Sequence, residues 1–138
     1  MKKTVRILAL SLVFVMLALV LVACKPNSDY NKAKEKLDKK DYETKLYTDG
    51  VTTGATELAL GIENVEAILY ATKKVGDKYE TVSVIYFKDS ESAKNALKKI
   101  EKEDDDVNEK DLNSKYVKAT QSGKMVYAGT KNAIKAAS

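Results

Sequence analysis

The 138-residue chain has no histidine and no tryptophan, and it has only one cysteine, one proline and one arginine. Without histidine, the Ser-His-Asp and Cys-His arrangements of nucleophilic catalysis and zinc sites with His ligands are excluded. A phosphate-binding loop is also missing, because residues 50–54 (GVTTG) lack the Lys and the spacing of a P-loop; we interpret them as a turn and helix cap. These absences predict that the protein is not an enzyme and carries no cofactor.

The first 23 residues differ in kind from the rest of the chain. Lys2, Lys3 and Arg6 precede an apolar run in which Ser11 is the only polar residue. This is the positive n-region and apolar h-region of a secretory signal peptide. The run is shorter than the ~20 apolar residues of an ordinary transmembrane helix, although a short signal anchor can span a thin bilayer. We therefore predict a signal peptide over residues 1–23, with an uncleaved signal anchor as the alternative.

The basic character of the chain belongs largely to this leader. The formal net charge is +4, and removing the three leader cations from the 24 leaves 21 lysines against 20 acidic residues. Arg6 is the only arginine, and arginine is the side chain best suited to bidentate contacts with phosphates and bases. The rest of the chain is nearly neutral and free of arginine, which argues against nucleic-acid binding.

The single cysteine, Cys24, ends the apolar run in the tetrapeptide LVAC. Leu21, the small Ala23 and the polar stretch KPNSDYN after the cysteine resemble the lipobox of bacterial lipoproteins. The resemblance covers residues 1–24, and it implies that the Cys24 thiol receives a diacylglyceryl group and that signal peptidase II cuts between Ala23 and Cys24. Two or three acyl chains anchor a protein durably, since each buried CH₂ contributes about 0.8 kcal/mol and one chain alone is marginal.

This resemblance implies a protein held at the extracytoplasmic face of a cell membrane through lipidated Cys24. Lipidation removes the only thiol from catalysis, disulfide formation and metal binding. The alternative is a small apolar cysteine inside an uncleaved anchor. Because Pro26 disfavours a continuing helix, we predict a short tether over residues 24–29 and a single domain over residues 30–138.

Hydrophobic periodicity in residues 30–138 alternates between helical and strand spacing, in the order α-β-α-β-β-α-β-β-α. We expect Thr53 to cap the second helix and Gly61 or Asn64 to end it, and Asp89 or Ser90 to cap the third. The helices are predicted near residues 29–40, 53–61, 90–100 and 130–138, and the strands near 42–48, 65–74, 79–88, 116–120 and 124–128.

The central β-α-β-β-α-β order is that of a ferredoxin-like split β-α-β fold. We therefore predict a small α+β domain, with an antiparallel sheet, helices on one face of it, and extra helices at the N and C termini. The strand predicted at 79–88 has apolar residues on both faces, because Val82 and Val84 alternate with Ile85 and Phe87. Either extra helices cover the second face, or a ligand binds there.

The acidic segment at Asp104, Asp105, Asp106 and Asn108 has the D-x-D-x-N spacing with which calcium loops bring alternate side chains to one ion. The rest of the pattern fails, because the sixth position is Glu109 rather than Gly and the twelfth is Lys rather than Glu. We therefore interpret the segment as a solvated loop and predict no metal site.

Tyrosine makes up eight of the ten aromatic residues. Tyrosine is a good strand residue, which favours packing within the sheet. It also suits binding surfaces, since its ring packs while its hydroxyl stays hydrated. Seven tyrosines are predicted to lie on strands, namely Tyr42, Tyr47, Tyr70, Tyr79, Tyr86, Tyr116 and Tyr127.

Three functions are compatible with these observations. The first is a non-catalytic binding module at the membrane surface that contacts an envelope protein, a peptide or a solute. The second is an accessory or structural envelope lipoprotein without a ligand. The third is a small enzyme that uses carboxylates or lysine. The missing catalytic residue types and the tyrosine-rich strands favour the first, and the sequence specifies neither the ligand nor the oligomeric state.

Overall fold

The computed structural model describes residues 25–101 and 107–138, and over them the chain forms an α+β domain with one five-stranded sheet and four α-helices. The strands are β1 (Glu43–Tyr47), β2 (Val65–Val75), β3 (Lys78–Phe87), β4 (Tyr116–Ser122) and β5 (Met125–Thr130). The helices are α1 (Tyr30–Asp38), α2 (Gly50–Leu60), α3 (Ser90–Ile100) and α4 (Lys131–Ala137). The predicted order of helices and strands is confirmed.

Three of the helices begin after an aspartate in extended conformation whose carboxylate accepts backbone N–H groups of the first turn. Asp29 caps α1, Asp49 caps α2 and Asp89 caps α3. The prediction that Thr53 caps α2 is wrong. The carboxylate of Asp49 accepts from the Thr52 N–H at 2.8 Å, which starts the helix earlier and places residues 50–54 inside it rather than in a turn.

The sheet has the order β1-β2-β3-β5-β4, and every neighbouring pair is antiparallel. Because β5 lies between β3 and β4, the segment β3-α3-β4 is a split β-α-β unit. In contrast, β1 and β2 are direct antiparallel neighbours although α2 connects them. One half of the sheet thus contains a split β-α-β unit, and the predicted ferredoxin-like fold is not confirmed.

Helices cover both faces of the sheet. On one face, α1 and α4 pack against inward residues of β2, β3 and β5, including Leu69, Val84 and Tyr127. On the other face, α3 and the end of α2 pack around Phe87 and Val126. The α3 helix and the end of α2 thus share one face, as predicted for the central helices. The extra terminal helices α1 and α4 cover the second face, which is the first of the two alternatives for a strand with apolar residues on both sides.

The α2 helix is packed much less closely than the others. Among its described residues, Thr53 is the one that is buried, while Val51 and Leu58 are 83% and 88% exposed. Ala55 and Ala59, which share the spacing that predicted this helix, are exposed too. The apolar side of α2 therefore faces away from the sheet.

The residues just before α1 are docked on the domain. Pro26 is fully buried. The backbone of Asn27 donates to the Ala137 carbonyl at 2.8 Å, and its own carbonyl accepts from the Tyr86 hydroxyl at 2.8 Å. From Pro26 onward, the segment predicted as a tether packs against the end of α4 and against β3.

Candidate functional site

Cys24, which is predicted to carry the lipid, and the predicted cleavage site between Ala23 and Cys24 lie outside the described residues. Lipidation and cleavage stay predictions. Asp104, Asp105 and Asp106 of the acidic segment also lie outside the described residues. Over residues 25–101 and 107–138, no group of three or more Cys, Asp or Glu side chains is arranged to hold a metal ion.

Asn108, the end of the predicted calcium pattern, has a local role. Its side-chain oxygen accepts from the Lys110 backbone N–H at 3.3 Å, and its amide nitrogen donates to the Asp111 carboxylate at 3.1 Å. These contacts cap the 3₁₀ turn Glu109–Asp111. Asn108 thus stabilises the chain where it returns towards β4.

The tyrosines divide between the core and the surface. Tyr42, Tyr86 and Tyr127 are buried, and Tyr42 lies just before β1 rather than on it. Tyr70 and Tyr79 are 41% and 43% exposed. Burial in the core therefore accounts for three of the seven tyrosines predicted on strands, and two others are exposed.

A buried carboxylate, Glu80, is the most unusual polar group of the described domain. It is 2% exposed on β3, in line with the core residues Val82 and Val84. Its two oxygens accept from the Asn113 amide at 2.7 Å, the Ser114 hydroxyl at 2.8 Å and the Asn132 amide at 3.0 Å. All three donors are neutral.

Burial opposes the ionisation of Glu80, but hydrogen bonds outweigh it. The side chains of Asn113, Ser114 and Asn132 donate to the ionised form, so the pKa of Glu80 lies below its usual range. The carboxylate joins β3 to the segment before β4 and to the start of α4. Because its acceptor positions are occupied by these donors, Glu80 acts as a clamp rather than as an available base.

An open groove of about 450 Å³ lies beside this clamp. It is formed by the turn after α1, by β2 and by α4. Asn132 contributes to both features, since it lines the groove and donates to Glu80. The lining residues are Lys40, Asp41, Tyr42, Lys73, Asn132, Lys135 and Ala136.

The groove is basic and has an aromatic wall. Three lysines face one aspartate, and they come from three separate segments of the chain. The Lys73 ammonium lies 5.6 Å from the centroid of the Tyr42 ring and donates to the Lys40 carbonyl at 2.9 Å. This contact with the ring face is a cation–π interaction. Lys73 is thereby held in place beside Tyr42.

Local backbone structure brings Tyr42 into this position. Asp41 has a left-handed backbone (φ 64°), and the Tyr42 N–H donates to the Leu37 carbonyl at 3.1 Å. The chain therefore reverses sharply after α1. Burial and then the negative charge of Glu80 raise the pKa of Tyr42, so its hydroxyl stays protonated at neutral pH.

A second groove, of about 390 Å³, lies between the end of α2 and α3. Its Lys99 ammonium donates to the Gly61 carbonyl, the C-terminal cap of α2. Lys99 thus satisfies a helix end. This groove has Lys98 and Lys99 with Glu63, whereas the groove beside Tyr42 has three lysines with one aspartate.

Sequence reasoning missed Glu80 and the lysines of the groove. Glu80 had a usable signal, because it lies two residues before Val82 and therefore on the same strand face as the core positions. The lysines had none, since Lys40, Lys73 and Lys135 are three among many in the chain and only the fold brings them together.

The chain matches no family model, no curated protein and no solved structure. In the described part of the chain, none of the helices has the length and hydropathy needed to cross a bilayer.

Proposed function

We propose that this protein is a membrane-anchored extracytoplasmic lipoprotein, and that its domain is a non-catalytic module that binds an anionic group. The groove beside Tyr42 is the binding site in this proposal. The ligand class is a molecule with a phosphate or carboxylate group, presented at the outer surface of the membrane.

Support for the anchor comes from the sequence. The charged start, the apolar run and the tetrapeptide ending at Cys24 form the lipobox pattern. Pro26 and Asn27, which follow almost at once, are packed on the domain. These contacts support the proposal, because a lipid on Cys24 would then lie close to the domain.

The observation that carries the binding proposal is the convergence of Lys40, Lys73 and Lys135 on one groove. Lysine is a compact, hydrated point charge that commonly binds phosphate. Asn132 adds an amide, and the Tyr42 ring forms an apolar wall. Such a site suits a small anion attached to an apolar or sugar-like body.

Glu80 supports a binding role over a catalytic one. A general base needs a carboxylate that can reach and accept a substrate proton. The oxygens of Glu80 instead accept from Asn113, Ser114 and Asn132. Its role in the proposal is to fix Asn132 at the edge of the groove.

The anchor is tested with Cys24→Ser in the native host. The wild-type protein should incorporate labelled fatty acid and fractionate with membranes, and the variant should not incorporate the label. If the variant still incorporates labelled fatty acid, the assignment of Cys24 is wrong.

The groove is tested by titrating inorganic phosphate into the lipidated protein in detergent micelles while recording amide and lysine NMR signals. We expect saturable shifts at residues 40–42, 73 and 132–136, and Lys73→Gln should weaken the binding about tenfold, roughly the value of one charge-assisted hydrogen bond. Lys118→Gln, which removes an exposed lysine of β4, is the matched control. Equal, unsaturable shifts at every lysine would contradict the proposed site.

A further inference from the structure

The exposed side of α2 is an apolar surface without charged side chains in the described helix. We call it the α2 outer face, and it lies on the side of the helix opposite Thr53 and Glu57. Large solvent-exposed apolar patches mark interaction sites. The only charged residue of the helix, Glu57, is directed away from it, because its carboxylate accepts from the Val65 N–H at 2.8 Å. The outer face consists of Val51, Gly54, Ala55, Leu58 and Ala59.

The described chain enters the domain at Lys25. Pro26 is buried, and the backbone N–H and carbonyl of Asn27 each make a hydrogen bond to the domain. Lys25 is therefore the one residue between these docked residues and position 24. One residue spans at most about 3.3–3.6 Å. A lipid on Cys24 therefore holds this end of the domain within about two residue lengths, roughly 7 Å, of the headgroups.

The chain entry and α2 lie at the same end of the sheet. Lys25 lines a cleft with Tyr86 and Met125, which pair with each other near the end of β3. Val65, the first residue of β2, pairs with Phe87 at that end, and Glu57 ties α2 to Val65. Lys25 and α2 are thus on opposite faces of the sheet but at one end of it.

We infer that the α2 outer face lies in the lipid interface of the leaflet to which Cys24 is anchored. The inference rests on the anchor in the proposed function and is independent of the groove. The occupant is phospholipid, because the entry point at Lys25 brings this end of the domain to the headgroups and the face presents apolar side chains without charge. An interfacial helix buries its apolar face about 5–10 Å into the headgroup and acyl boundary.

Charge contributes little to this contact. The α2 outer face itself has no charged side chain, because Glu57 is the one charged residue of the helix and accepts from the Val65 N–H. Apolar burial is then the main attraction, and neutral phosphatidylcholine should suffice as the lipid. Raising the salt concentration should leave the contact unchanged.

Because the chain has no tryptophan, a single introduced one reports its own surroundings. The test uses the full lipidated protein in phosphatidylcholine vesicles, with and without brominated acyl chains. For Leu58→Trp we expect tryptophan emission at a shorter wavelength in the vesicles than in detergent-free buffer. Brominated lipid should quench about half or more of this emission, since the expected depth of the side chain is that of the interfacial boundary. Val75→Trp, at the hairpin on the opposite end of the sheet, is the control and should keep its emission.

The outcomes separate this inference from the anchor. If the protein floats with the vesicles but Leu58→Trp is no more quenched than Val75→Trp, the anchor stands and the inference is overturned. If the protein does not float, both fail. If Leu58→Trp emits at short wavelength without vesicles and the protein sediments as a dimer, the face contacts a second copy instead of lipid.

Discussion

The α1 helix and the α2 helix show opposite relations between composition and burial. In α1, five of the nine residues of YNKAKEKLD are charged, yet Ala33 and Leu37 are completely buried. In α2, the sequence GVTTGATELAL has one charged residue, yet Val51 and Leu58 are almost fully exposed. The more polar helix is therefore the better packed one.

Position in the fold explains this difference. Ala33 and Leu37 lie one helical turn apart and meet the central strands together with α4. The α2 helix contacts β2, and Leu60 at its end packs against the second core. Among its residues only Thr53 is buried, so the side opposite Thr53 stays exposed.

The largest expected effect comes from Leu37→Ala. Truncating a fully buried leucine removes its burial and leaves a cavity, which costs about 2–5 kcal/mol. The free energy of unfolding, measured by urea titration with circular dichroism, checks this. A loss below about 0.5 kcal/mol, the range of ordinary surface substitutions, would show that α1 does not pack as described.

Glu80→Gln tests the hydrogen bonds that the buried Glu80 carboxylate accepts. The substitution weakens hydrogen bonds to a buried charge, so we expect a loss of about 1–3 kcal/mol at neutral pH. Because the pKa of Glu80 is lowered in the folded state, its contribution is present above the unfolded carboxyl pKa of about 4.3 and is lost as the pH falls through the lower folded value.

The difference in stability between wild type and Glu80→Gln should therefore shrink on acidification from pH 7 to pH 3. Glu43→Gln, at an exposed position of β1, is the control and should change stability little at either pH. A difference that stays constant over this range would contradict an ionised Glu80 in the folded protein.

Tyr86→Phe tests the docking of the chain entry and should have a smaller effect. It removes the hydrogen bond from the Tyr86 hydroxyl to the Asn27 carbonyl, worth about 0.5–1.5 kcal/mol, while the ring stays packed edge-on against Tyr30. Hydrogen exchange should show faster exchange at the Asn27 amide, which bonds to Ala137. Unchanged exchange there would mean that Tyr86 does not hold this segment.

The smallest effect on folding is expected for Leu58→Ala. Its side chain is 88% exposed, so its truncation should change the free energy of unfolding by about 0.5 kcal/mol or less in the absence of lipid. Together with Leu37→Ala, this gives the same chemical change in two helices of the same chain. A loss comparable to that of Leu37→Ala would abolish the contrast between them.

Local signals predicted much of the secondary structure. Gly76, with φ 63°, lies in the turn between β2 and β3, Asp89 caps α3 as expected, and the left-handed Gly61 ends α2 as expected. These features depend on residues close together in the chain. The start of α2 was missed because the apolar spacing begins at Ala55 and Thr53 lies just before it, although Asp49 is the better cap.

The site could be predicted only in part. The face of β3 that carries Val82 and Val84 identifies Glu80 as inward, but its donors come from 33 to 52 residues further along the chain. The lysines of the groove are likewise distant from one another in sequence. No local periodicity encodes such contacts.

The sequence by itself determined the order of the helices and strands, several of their ends and which strand faces are apolar, because capping, turn formation and alternation act within a few residues. Its N-terminal pattern also supplied the prediction of a lipid on Cys24. Only the tertiary structure decided the strand order, the covering of both sheet faces, the clamp at Glu80 and the exposure of the α2 outer face. Each of these depends on which distant segments compete for the same surface, and burial is a property of that whole arrangement rather than of any one segment.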